Sequence, residues 1–144
     1  MSDSHVVPCP HCDGLSRVPS NRLHDQPQCG RCKQPLLGDA PFTLTQTNYP
    51  QQIKGDVPLL VDVWAAWCGP CQGFAPTFNE AAKQYQGRCR LAKLGSDQHP
   101  NLSAQLRIRS IPSLILFKNG AEVARKSGAM SLTQLNAWLH QYGL

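Results

Sequence analysis

Pro58-Leu59-Leu60-Val61-Asp62-Val63-Trp64-Ala65-Ala66-Trp67-Cys68-Gly69-Pro70-Cys71 decides the fold. From Pro58 to Ala65 the run is apolar and rich in branched residues save for one aspartate, as expected of a strand covered on both faces. Downstream, Phe74, Phe78, Ala81, Ala82 and Tyr85 recur at offsets of four, seven, eight and eleven, one face of an amphipathic helix. Two thiols therefore stand where a buried strand meets the N-terminus of a helix. Unpaired backbone N–H groups and the positive end of the helix dipole favour a thiolate there, so Cys68 is the expected nucleophile. Cys71, one turn further in, is close enough to bond to it and is expected to be the more shielded, resolving thiol. Gly69 and Pro70 set the turn, proline suiting a first helical turn whose N–H has no partner.

Around this centre the chain from Phe42 reads as a compact α/β unit. A short strand near Phe42–Leu44 is followed by a helix begun by Asn48 and Pro50, then by the buried strand and its helix. A strand at Arg90–Leu94 and a short helix after Pro100 carrying Leu102 and Leu106 come next. Ser113–Lys118 and Glu122–Lys126 are strands joined by Asn119-Gly120, a hairpin turn requiring positive φ. Ser131 caps a last helix with Leu132, Leu135, Trp138, Leu139 and Tyr142 on one stripe. The order from residue 42 is β-α-β-α-β-α-β-β-α.

Residues 1–41 have a different character. Val6, Val7, Leu15, Val18, Leu23, Leu36 and Leu37 are too few apolar side chains to fold the segment alone. It carries Cys9-Pro10-His11-Cys12 and Cys29-Gly30-Arg31-Cys32 with sixteen residues between the pairs, the spacing of a four-thiolate zinc site. Each pair forms a knuckle aiming two sulfurs at one ion, with Gly30 expected to free the backbone to turn, and metal binding supplies folding energy. Cys9, Cys12, Cys29 and Cys32 complete a tetrahedron, leaving His11 a bystander and no open position for substrate, so the Zn2+ is expected to be single and structural. The competing arrangement, two disulfides, is disfavoured in a reducing compartment.

The 144 residues hold one domain of ordinary size plus an appendage. Residues 1–41 carry four Lys or Arg and four Asp or Glu; the remainder carries ten against five, so the net charge of +5 belongs to the C-terminal part. Those charges are scattered without interleaved aromatics, which argues against nucleic acid. No apolar leader and no run of about 18 apolar residues is present, so a chain with no membrane role and a cytoplasmic location is expected. Seven cysteines, six of them in three C-x-x-C pairs, point to metal and redox chemistry rather than a secreted disulfide scaffold. For the seventh, Cys89, the flanking Arg88 and Arg90 allow a low-pKa redox sensor; buried filler is the expectation.

Val61 to Cys71, with Ile111-Pro112-Ser113 and Phe117-Lys118-Asn119-Gly120, resembles the thioredoxin family over residues 42–144. With the double C-x-x-C segment added, the whole chain resembles the zinc-containing bacterial thioredoxin 2 type. The resemblance implies an α/β thioredoxin fold, a central mixed sheet flanked by helices, with a small zinc-ribbon-like segment at residues 1–41 ahead of the thioredoxin domain at 42–144. It implies protein-disulfide reduction recharged by NADPH through thioredoxin reductase, the redox-active disulfide and Zn2+ being the only prosthetic elements, with no bound organic cofactor; a monomer is the expected state. Asp62 matches the family's buried aspartate that assists proton removal from the resolving thiol, and its apolar neighbours support burial, which raises a carboxyl pKa. The other reading of Asp62 is a carboxylate at a bulge facing solvent. Lys93 matches the lysine that tunes this aspartate, or else simply snorkels from its strand. Pro112 matches the cis-proline facing the dithiol, and Trp67, Gly69, Pro70, Ile111, Gly128 and Ala129 match the substrate groove around it. Gln72 and Arg107 depart from the usual pattern at positions bearing on partner choice. The alternative function is a redox-regulated, zinc-containing binding or holdase module on the same scaffold, for which two intact thiols are unnecessary.

Overall fold

A computed structural model of the chain describes residues 3–144. The first segment contains a hairpin that the sequence did not announce: β1 (Ser4–Pro8) pairs antiparallel with β2 (Leu15–Pro19), followed by one 3-10 turn at Ser20–Arg22. Then come β3 (Phe42–Leu44), α1 (Tyr49–Gln52), β4 (Leu59–Trp64), α2 (Gly69–Gln84) and β5 (Arg90–Gly95). After them follow α3 (Pro100–Gln105), β6 (Ser113–Lys118), β7 (Ala121–Ser127) and α4 (Leu132–His140), so the expected order from residue 42 holds.

The five-stranded sheet runs β3-β5-β4-β6-β7. β4 lies parallel to β5 and antiparallel to β6, making the sheet mixed, and it occupies the centre with burial along its length. Strand alternation divides β4 between two cores. Leu60 faces Phe74, Phe78, Ala81, Tyr85, Leu135 and Leu139 of α2 and α4. Leu59, Val61 and Val63 face the opposite way, against Leu44, Leu102, Ile115 and Phe117. Fully burying a side chain such as Phe78 contributes about 1.5–3 kcal/mol, so these two layers carry most of the fold's stabilisation.

Local chemistry sets the element ends. Ser131 and Gln134 form a reciprocal capping box at α4, and Tyr142, just beyond the helix, keeps an edge contact with Trp138 at 5.8 Å. Asn119 and Gly120 both take positive φ, 56° and 82°, in the β6–β7 hairpin.

The small first segment is seated on the second. Val7, Val18, Leu36 and Leu37 bury themselves with Cys9 and Cys29 and with Val57 contributed by the larger unit, whereas Leu15 is exposed. Asp56 Oδ1 accepts from His5 Nδ1 at 3.0 Å and from the Val6 amide at 3.1 Å. Gly55 passes so close that a Cβ there would meet Pro8 Cδ at 2.8 Å and the Val6 carbonyl at 3.1 Å. At the far side of the seam Gly87, with φ of 86°, packs against the His24 ring.

Arg90 is the largest departure from the sequence reading. Counted there among scattered charges, it is only 4% exposed and lies on the Phe42 ring at 4.9 Å. Its guanidinium donates to the Pro8 carbonyl at 2.9 Å, to the Gln52 carbonyl at 3.2 Å and to Gln52 Oε1. Gln52 Nε2 in turn donates to the Cys9 carbonyl at 2.8 Å and to Asp13 Oδ1 at 2.6 Å. A buried cation held by neutral carbonyls through its two Nη groups, its Nε without a partner among the described residues, thus ties the cysteine-bearing loop to β5. Burial pulls the Arg90 pKa down to about 10, still charged near neutrality.

Candidate active site and metal centre

Cys68 is the N-cap of α2, and the amide of Cys71 donates to its sulfur at 3.2 Å. Gly69 and Pro70 fill the first two helical positions, where the missing proline N–H costs no helical bond. Cys68 and Cys71 are joined in a disulfide with their Cα atoms 5.3 Å apart. Both are buried, 5% and 3% exposed, so shielding hardly separates them. Position does: one sulfur sits at the helix mouth under an N–H donor, the other within the first turn.

Across from them, Cys68 Sγ lies 3.9 Å from the carbonyl oxygen of Ile111, and the Ile111–Pro112 peptide bond is cis. The carbonyl of Pro112 accepts the Gly128 amide at 2.8 Å, and Gly128, with φ of 97°, and Ala129 are exposed beside it. Trp67 is 73% exposed, a large apolar side chain in solvent next to the dithiol. Ala65, Cys68 and Cys71 form a small buried cluster against Trp64 and Ile111. Trp67, Gly69, Pro70, Ile111, Pro112, Gly128 and Ala129 thus belong to three chain segments, tied by the Cys68–Ile111 and Pro112–Gly128 contacts.

Asp62 is fully buried, and neither carboxylate oxygen has a hydrogen-bond partner among the described residues. Alternation puts it with Leu60 on the sheet face covered by α2, the helix whose inward residues begin with Cys71. Desolvation pushes its pKa from 3.8 up to about 6, against the opposing pull of the Lys93 charge. Lys93 is the register partner of Asp62 on the neighbouring parallel strand, with Nζ 4.9 Å over the Trp64 ring. The lysine therefore acts on the aspartate through space while resting on an aromatic face. The solvent-facing bulge reading of Asp62 is overturned by its burial.

The sulfurs of Cys9, Cys12, Cys29 and Cys32 all lie within 4.8 Å of one another, with Cys9–Cys32 and Cys12–Cys29 both at 3.6 Å. None is in a disulfide. A tetrahedral zinc with bonds of about 2.3 Å requires sulfur–sulfur edges of about 3.8 Å, so the four thiols fit the ion. The two knuckles are built alike: the amides of His11 and Arg31 donate to Cys9 Sγ and Cys29 Sγ, each at 3.3 Å. Such donors favour the thiolate: the backbone N–H groups of Cys32 and Arg31 hold the Cys29 thiol below its ordinary value, whereas at Cys9 desolvation outweighs them and pushes the thiol up. Gly30 is not where the chain turns; the positive φ falls on Asp13 (62°) and Lys33 (66°), the residue after each pair. His11 is exposed and outside the cluster.

Cys89 is buried and far from thiolate character. Desolvation pushes it up to about 12, outweighing the coulombic pull of Arg90 and Arg88, so the redox-sensor reading falls and the filler reading stands.

Comparison with known proteins agrees with this geometry. Residues 40–141 match the thioredoxin family, and residues 8–34 match the N-terminal zinc-ribbon family of thioredoxin 2. Thioredoxin C-3 of Corynebacterium nephridii is 42% identical over 137 residues, covering 94% of this chain and 94% of its own length. The thioredoxin of Alicyclobacillus acidocaldarius is 47% identical over 100 residues, 69% of this chain and 95% of the relative. Thioredoxin 1 of a Nostoc species is 41% identical over 100 residues, 69% of this chain and 94% of the relative. With its dithiol at the helix mouth and its four-cysteine ribbon, the chain belongs to the thioredoxin family, as a protein-disulfide reductase of the zinc-ribbon type.

Proposed function

We propose that Cys68 and Cys71 reduce the disulfides of client proteins and are recharged with two electrons from NADPH through thioredoxin reductase. The observation that carries this reading is the placement of Cys68: N-cap of α2, under the Cys71 amide, backed by the Ile111 carbonyl beside cis-Pro112.

In the first step the Cys68 thiolate attacks one sulfur of the client disulfide. A Cys68–client S–S bond forms, the client disulfide breaks, and the second client sulfur leaves as a thiolate that takes a proton from solvent. Cys71 then loses its proton towards Asp62 and attacks Cys68 Sγ. The mixed disulfide breaks, the client's other sulfur leaves as a thiolate that takes a proton from solvent or from Asp62, and the Cys68–Cys71 disulfide seen here remains. A carboxyl with a pKa of about 6 is ionised at neutral pH yet basic enough to accept a thiol proton in passing, with Lys93 setting how far its pKa rises. Trp67, Ile111, Pro112, Gly128 and Ala129 hold the client backbone, with Gly69 and Pro70 leaving the dithiol's rim uncluttered.

Residues 1–41 form a zinc-binding unit in this reading and 42–144 the catalytic one. Cys9, Cys12, Cys29 and Cys32 would hold one zinc ion, whose contribution is folding energy for a core-poor segment. A closed four-thiolate set leaves the ion out of the chemistry. No helix among the described residues is long and apolar enough to cross a membrane, and the reading places the protein in the cytoplasm as a monomer. The alternative of a pure binding or holdase module is weakened by the intact pair of thiols at the helix mouth.

Insulin disulfide reduction with NADPH and thioredoxin reductase tests the proposal. Turnover that disappears in Cys68→Ser supports it. Activity with a chemical dithiol but none with the reductase would refute the electron donor, and no activity with either would favour the binding module.

A further inference from the structure

The excess positive charge is not spread evenly over the catalytic unit. From residue 98 to the end there are five Lys or Arg and a single acid, Glu122. Glu122 is already taken: Arg125 grips both its oxygens, at 2.7 and 2.8 Å. Arg107 and Arg109 have no carboxylate partner among the described residues, and both are exposed.

These side chains converge. Arg107, Arg109 and Arg125 line one open cavity of about 290 Å³ with Ser113 and Ser127. The backbone holds them together, since Arg125 Nη1 donates to the Arg107 carbonyl at 3.4 Å and Ser113 pairs in register with Ser127. Arg107 adopts φ of 57°, so the chain turns at that residue in the loop carrying the cations.

Position gives the cluster its meaning. Ser113 directly follows cis-Pro112, and Ser127 directly precedes Gly128, whose amide bonds the Pro112 carbonyl. The cationic cavity therefore lies one residue along each chain from Pro112 and Gly128, the groove assigned above to the client backbone. A client strand lying along Pro112 and Gly128 carries its flanking residues towards the two unpaired guanidinium groups of Arg107 and Arg109, with Arg125 held by Glu122 beside them.

We propose that this cavity is a specificity subsite for acidic side chains of the client, so that the enzyme favours disulfides flanked by Asp or Glu. The inference rests on the reading of Cys68, Pro112 and Gly128 as the reaction groove. Guanidinium groups match carboxylates in geometry as well as charge, and unpaired rim arginines attract them before contact is made. Glu122 marks the chemistry the cavity accepts, being a carboxylate held by one of its arginines.

The test uses full-length, zinc-loaded protein reduced beforehand with a dithiol and freed of it, so that no reductase enters the reading. Three disulfide-looped peptides serve as clients, identical except for three flanking residues that are acidic, neutral amide or lysine. Second-order exchange rates are measured at low salt and at 0.5 M NaCl, on wild type and on an Arg107→Gln/Arg109→Gln variant. The acidic peptide should react about fivefold to tenfold faster than the neutral one at low salt, with the advantage largely screened at high salt. The lysine peptide should be slowest. The ratio of acidic to neutral rates should fall towards one in the double variant, a comparison that cancels any general loss of activity. Equal wild-type rates for all three peptides at low salt would overturn the subsite and leave the groove intact. A ratio unchanged in the variant would also overturn it, placing the preference elsewhere. No exchange with any peptide would remove the reading of the dithiol groove itself, and the subsite with it.

Discussion

Replacing Asp62 by Asn should stabilise the protein, and by an amount that depends on pH in a defined direction. The carboxyl is fully buried without a hydrogen-bond partner among the described residues, so its charged form is the costly one. Its pKa rises from 3.8 to about 6 on folding, which at 1.36 kcal/mol per pH unit amounts to about 3 kcal/mol. The folded state binds the proton more tightly than the unfolded state, so between pH 3.8 and 6 the unfolded chain holds fewer protons. Stability from this group is therefore fully present below pH 3.8 and lost as pH rises through 6. Asn has no charge to bury and escapes that loss. Urea unfolding of the oxidised protein, wild type and Asp62→Asn, measured from pH 4 to 8 reads the difference directly. The variant's advantage should grow by about 2 kcal/mol over that range and flatten above pH 7. A difference that stays constant with pH would refute the assignment of a raised pKa to Asp62. The same substitution should slow release of the reduced client while sparing formation of the mixed disulfide.

Stripping the metal with a chelator should abolish hydrogen-exchange protection in β1 and β2 while β4 and β6 keep theirs, because residues 1–41 lack a core of their own; protection retained in the hairpin would show that the segment folds without the ion. Under native, reducing conditions iodoacetamide should modify Cys68 and leave Cys89 untouched, since burial holds the latter's pKa up at about 12; rapid native labelling of Cys89, read by peptide mass, would contradict its burial. Arg90→Ala should cost about 3 kcal/mol in urea unfolding, from three carbonyl acceptors left without a donor at about 1 kcal/mol each; a loss under about 1 kcal/mol would mean water replaces the guanidinium freely.

Periodicity made most of the larger unit legible. The branched run of β4, the apolar stripe of α2 and Asn119-Gly120 each specify one local structure, and each stands in the structure as the pattern requires. The four ribbon cysteines were legible for a different reason, because thiols at that spacing have few other uses. Illegible were features whose causes lie far away along the chain. Arg90 reads as a surface charge until its acceptors are known, and these lie 82 and 38 positions away at Pro8 and Gln52. The β1–β2 hairpin is short, contains proline and histidine, and has no sustained alternation; its strands are fixed by metal-loop geometry and by Asp56 rather than by propensity. The cationic cavity likewise joins residues from a loop and two strands that only the sheet register brings together.

One dipeptide spacing does two jobs here, and the difference reduces to one backbone rotation. In all three C-x-x-C units the amide four residues on donates to the first cysteine's carbonyl: Asp13 to Cys9 at 2.9 Å, Lys33 to Cys29 at 3.1 Å, Gln72 to Cys68 at 3.2 Å. Up to that point each is a single helical turn. At Asp13 and Lys33 the chain then swings to positive φ and doubles back, so that the amides of Cys9 and Cys29 meet the carbonyls of Gly14 and Gln34, each at 2.8 Å. Closing the loop this way presents both sulfurs outward, where the second knuckle supplies the other two at 3.6 Å. At Gln72 no such swing occurs; the turn propagates into the sixteen residues of α2, and the helix dipole and the Cys71 amide act on Cys68 instead. A thiol pair facing a second pair completes a metal's coordination shell, whereas a thiol pair capping a long helix has only itself and an incoming disulfide to bond with.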